Sequence, residues 1–144
     1  MQFTRATDYA ARVLSYLANA NGSVSQARSI AVATATPESF LSKILGQLSR
    51  AGLVRAHRGA RGGFSLTADP QALTLLDVLE AIEGPLRLNV CDTPAPCAYG
   101  ANCPIERAWQ QAEGALRDSL RSQKIAALAA QSRDLGLFIK QAAP

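Results

Sequence analysis

The chain has 144 residues and a net charge of +4, and 48% of its residues are hydrophobic while 6% are aromatic. That size suits one domain, or a small domain with an extension, and the composition suits a mostly helical protein. No apolar run is long enough to span a bilayer, and Arg5, Asp8 and Arg12 interrupt any secretory signal, so a cytoplasmic setting with reduced thiols and no membrane partner is expected.

Thr4 or Thr7 can cap a first helix, in which Tyr9, Ala10, Val13, Leu14 and Leu17 recur at helical spacing. Asn21-Gly22 ends it. Ser25 opens a short second helix through Ile30, Ala31 and Ala33. Thr36-Pro37-Glu38 then combines a capping hydroxyl, a proline at the first helical position and an acid in the first turn. The third helix places Phe40, Leu41, Ile44, Leu45 and Leu48 on an apolar stripe. Glu38, Ser39, Ser42, Lys43 and Gln47 fall on the other face, and Ala51-Gly52 stops the helix.

Leu53-Val54-Arg55 and Gly63-Phe64-Ser65-Leu66 read as two short strands, joined by a glycine-rich turn that exposes Arg58 and Arg61. Three helices followed by a basic hairpin is the layout of a winged helix-turn-helix domain, with the third helix entering the major groove. The charge agrees. Residues 1–70 hold eight Lys or Arg against three acids, and residues 71–144 hold seven against eight, so the first half is basic and suits double-stranded DNA. Ser39, Ser42, Lys43 and Gln47 are the candidates for base edges, with Gln47 able to pair bidentately with adenine. Arg58 and Arg61 are the wing candidates, and Arg28 and Arg50 join them as cations of the same half.

Thr74 to Glu83 forms a fourth helix that Gly84-Pro85 ends. There follows CDTPAPCAYGANC, Cys91 to Cys103, which holds all three cysteines, five residues apart, in a loop broken by Pro94, Pro96 and Gly100. Structural zinc sites usually pair cysteines two to four residues apart, and a disulfide framework needs an even count. An iron–sulfur cluster accepts widely spaced thiolates. Cys91, Cys97 and Cys103 are therefore read as cluster ligands. Pro104 starts a long helix in which Ile105, Trp109, Ala112 and Leu116 form a narrow seam, with Glu113 and Arg117 on another face. Such a seam favours a helix-paired homodimer, which suits a palindromic operator. Ser122 is placed to cap a last short helix through Ile125 and Leu128.

TDYAARVLSYLA, KILGQLSRAGLV, RGARGGFSL and the three-cysteine loop together resemble the family of iron–sulfur winged-helix transcription regulators typified by IscR, NsrR and RirA. The resemblance covers nearly the whole chain. It implies that Cys91, Cys97 and Cys103 hold a cluster whose state sets DNA affinity. In the IscR branch a histidine follows the last cysteine by three residues, but Glu106 stands there, and the only histidine, His57, leads into the wing. In the NsrR-like, nitric-oxide-sensing branch an aspartate early in the first helix of the partner subunit completes a four-iron cluster, and Asp8 matches it.

The expected fold is mainly α. Residues 1–84 are a winged helix-turn-helix domain with a small β-hairpin wing, 85–104 a cluster-binding loop, and 105–144 a long dimerisation helix and tail. The expected function is a repressor rather than an enzyme, with a 4Fe-4S cluster (2Fe-2S being the other nuclearity) that senses nitric oxide or redox stress. An iron- or cluster-supply sensor, a cluster-free thiol switch and a small iron–sulfur electron-transfer protein are the alternatives.

Overall fold

The structure is a computed structural model that describes residues 3–89, 97 and 102–137. Cys91, most of the cysteine loop and the tail from 138 lie outside the described residues. The elements run α1 (Arg5–Asn19), α2 (Ala27–Thr34), α3 (Glu38–Arg50), β1 (Val54–His57), β2 (Gly63–Leu66), α4 (Leu75–Glu83), α5 (Pro104–Ser122) and α6 (Ile125–Asp134). This is the expected mainly helical, winged helix-turn-helix architecture.

Periodicity explains the core. Ala10, Val13, Leu14 and Leu17 of α1 pack with Leu41, Ile44, Leu45 and Leu48 of α3, and Ile30, Val54, Leu73 and Val78 close around them. Phe40 departs from the expected stripe. It is 47% exposed, with its ring 5.9 Å from that of Tyr9 on α1.

The α2–α3 turn is made without glycine. Ala35 sits in the left-handed region at φ 51°. Thr34 donates its hydroxyl to the Ile30 carbonyl at 2.7 Å and lies 2.8 Å from the Thr36 hydroxyl. Thr36 is therefore a buried turn residue and makes no cap. The helix start falls one residue later than expected, with Pro37 at the N-cap and Glu38 first in the helix.

β1 and β2 pair antiparallel, Val54 opposite Leu66 and His57 opposite Gly63. Ser25 does not open α2. Its backbone exchanges both hydrogen bonds with Phe64, at 2.9 and 2.8 Å, and so bridges the free edge of β2. This contact explains a glycine, since a Cβ on Gly63 would lie 2.2 Å from the Ser25 carbonyl oxygen.

Thr74 caps α4 through a reciprocal capping box with Asp77. α5 and α6 pack back onto the first four helices. Leu116 and Leu120 of α5 cover Leu76, Leu79 and Leu86. The chain then returns to the first domain: Leu75 N–H donates to Gln123 O and Ile125 N–H to Leu73 O, both at 2.9 Å. Ile125 is fully buried in the main core, and Asn19 Nδ2 donates to Ala129 O at 3.0 Å. Ser122 closes α5 and does not cap α6, whose N-cap is Lys124.

Candidate nucleic-acid interface and cysteine site

α3 presents Ser39, Ser42 and Lys43 to solvent. Ser42 donates weakly to the Glu38 carbonyl at 3.4 Å, so its hydroxyl stays near the helix. Gln47 departs from the expected exposed face. It is half-buried, and its Nε2 donates to the Ile82 carbonyl of α4 at 3.1 Å. Periodicity could not show this, because the acceptor belongs to a helix that crosses behind α3. Arg28 on α2, Arg50 at the end of α3, and Arg58 and Arg61 at the hairpin tip are all exposed. The hairpin is braced from within, where His57 Nε2 and Ser65 Oγ lie 2.8 Å apart. That bond occupies His57 inside the wing.

Cys103 is the N-cap of α5 and only 8% exposed, with Pro104 as the first helical residue. Cys97 is exposed, and both thiols are free of any disulfide. Asp8 is exposed on α1 and paired with Arg12 at 2.7 Å. The Arg12 guanidinium also stands 5.7 Å from the centre of the Tyr9 ring. Glu106 accepts from Gln110 at 3.2 Å within α5. Among the described residues no group of three potential ligands converges.

Glu80 of α4 and Glu113 and Arg117 of α5 tie the start of the cysteine segment to the fold. Arg117 of α5 donates to Glu80 at 2.7 Å and to the Leu86 carbonyl at 2.9 Å. Glu113 accepts from the Leu88 N–H at 3.0 Å. The bond to Glu80 pushes the Arg117 guanidinium up from its ordinary value, and the Leu88 N–H holds Glu113 below the usual carboxylate range. The i, i+4 spacing of Glu113 and Arg117 was visible in the sequence, but their shared grip on residues 80–88 was not. Glu83 likewise takes the Thr4 N–H at 3.2 Å and the hydroxyls of Thr4 and Thr7.

α5 buries none of its residues, and Ile105 and Trp109 of its seam are 60% and 46% exposed. No helix among the described residues is long and apolar enough to cross a membrane.

Residues 3–131 match the model of the Rrf2 family, described as iron-dependent transcriptional regulators. The chain belongs to the Rrf2 family. Protein aau3 of Rhizobium meliloti is 36% identical over 114 residues, spanning 75% of this chain and 74% of its own length. The structure of CymR, the global cysteine regulator of B. subtilis, superposes with a TM-score of 0.72 at 27% identity, covering 91% of this chain and 98% of CymR. The T. potens IscR structure superposes with a TM-score of 0.71 at 22% identity, covering 100% of this chain and 93% of that one, and shares the fold. The protein is thus a helix-turn-helix transcriptional regulator of the Rrf2 family.

Proposed function

We propose that this Rrf2 regulator is a homodimeric repressor whose affinity for a palindromic operator is set by an iron–sulfur cluster. Cys91, Cys97 and Cys103 would hold the cluster, with Asp8 of the partner subunit completing a four-iron site. The reading rests chiefly on Cys103, a free, nearly buried thiol at the N-cap of α5. A helix N-terminus favours an anionic group, and a set of three thiolates around iron is one. The donor chemistry fits, since soft thiolates are the usual ligands of iron–sulfur centres, whereas a carboxylate is a harder and weaker donor beside them. When bound, the group supplies an iron centre reactive towards nitric oxide and oxidants.

The chain's own residues carry the consequence. With its three cysteines drawn to one centre, the segment between α4 and α5 is closed on itself. Without that closure it is held at its start by Arg117 and Glu113 and at its end by Cys103. A change of this kind beside α5 alters the separation of two recognition helices in a dimer. The exposed Ile105 and Trp109 favour pairing of α5 with a second copy. On the DNA, Ser39, Ser42 and Lys43 would meet base edges, and Arg28, Arg50, Arg58 and Arg61 would meet phosphates or the minor groove.

The exposed, free Cys97 favours a second reading, a cluster-free thiol switch. Visible absorption and iron content of anaerobically purified protein separate the two. A chromophore lost on Cys103→Ala supports the cluster. Colourless, iron-free protein whose DNA binding follows thiol oxidation supports the switch.

A further inference from the structure

We propose that Gln47 is a positioning residue: it fastens the recognition helix α3 to the C-terminal end of α4, beside the cysteine segment, and does not read a base. Ile82 belongs to the last turn of α4, where carbonyls have no donor within their own helix. The Gly84 N–H goes to Glu80, and the Ile82 carbonyl takes the Gln47 amide instead. An amide spent on Ile82 is not free for the bidentate pairing with adenine that an exposed glutamine offers.

The same short stretch of α4 is gripped from two other sides. Glu83 takes the Thr4 and Thr7 hydroxyls of α1, and Glu80 takes Arg117 of α5. Directly after it, Gly84 turns the chain at φ 87°, and Leu86 and Leu88 are tied to Arg117 and Glu113. A displacement of the segment leading to Cys91 is therefore delivered to the end of α4. Gln47 carries it on to α3 through a directed hydrogen bond, one turn from the exposed Lys43. The regulatory half of this inference rests on the reading that the cysteine segment carries the signal.

The test uses the anaerobically purified full chain and a duplex selected from a random-sequence library by the wild-type protein. Affinity for that duplex and for its single-base variants is measured for wild type, Gln47→Met and Gln47→Lys, before and after iron is removed with a chelator. Methionine keeps the length and removes the donor, whereas lysine restores a donor to the Ile82 carbonyl. We expect Gln47→Met to weaken every duplex by a common factor. It should also shrink the affinity ratio between the two states by about tenfold, in the usual range of couplings between sites. Gln47→Lys should recover the ratio. A loss confined to one base pair, with the ratio between states intact, overturns the proposal. A wild type with equal affinity in both states overturns the cluster reading instead, and uniform against single-position loss then still decides the role of Gln47.

Discussion

Thr7 in the first turn of α1 donates its hydroxyl to Glu83 Oε1 of α4 at 2.6 Å, across 76 residues of sequence. With Thr4 on the same oxygen, a carboxylate from another helix stands where a local cap would, at the end of α1 that favours negative charge. The Thr4 hydroxyl first, and then that of Thr7, hold the Glu83 carboxyl below its ordinary value of 4.5. A depressed carboxylate contributes stability that is present above the unfolded value and lost as pH falls through the folded one. Glu83→Ala is expected to cost about 1 kcal/mol at neutral pH, the usual worth of a cap. In urea titrations across pH, the gap to wild type should close as pH falls below 4.5. A gap equal at all pH values would mean that the charge of Glu83 plays no part.

Ile125 lies in the last helix yet is fully buried in the first core. Ile125→Ala should cost about 2–5 kcal/mol, as other large-to-small core changes do. If α6 were an independent appendage, the loss would be near zero and the main unfolding transition unchanged.

Ala35 holds a left-handed conformation at φ 51° in the α2–α3 turn. The Cβ costs about 1–2 kcal/mol there, while glycine adds about 0.4–1 kcal/mol of entropy to the unfolded chain. The first effect is larger. Ala35→Gly should therefore raise stability by roughly 0.5–1 kcal/mol in a urea titration, with the helix-turn-helix intact.

Most of the fold was legible because each helix writes its buried face at helical spacing, as Val13, Leu14 and Leu17 do against Leu41, Ile44 and Leu48. The hairpin was legible from its glycines and arginines. What escaped were contacts whose partners lie far apart in sequence. Ser25 reads as a helix cap until Phe64 is seen to pair with it. Gln47 reads as a base contact until Ile82 is found behind it, and nothing local marks Glu80 or Glu83 as partners of Arg117, Thr4 and Thr7. The three cysteines stand out in the sequence by spacing and count, while Cys91 lies outside the described residues.

Arg61 stands exposed at the tip of the wing. Arg61→Ala should weaken binding to many sequences alike and lower the salt slope of log affinity by about one unit for each phosphate it no longer neutralises. Gly63→Ala should displace the same wing, since the new Cβ meets the Ser25 carbonyl at 2.2 Å. It should lower DNA affinity while the helical signal in circular dichroism stays. An unchanged affinity and salt slope in Arg61→Ala would remove the wing from the interface.

The proposed cluster on Cys91, Cys97 and Cys103 would set DNA affinity. Native mass measurement of the anaerobically purified protein, read together with visible absorption and operator binding during a nitric oxide titration, tests it most directly. We expect a dimer carrying a cluster in each protomer, with colour and operator affinity lost in step, and no chromophore in Cys91→Ala, Cys97→Ala or Cys103→Ala. Iron-free protein that binds the operator equally well throughout the titration, or full iron and colour in all three variants, would contradict it.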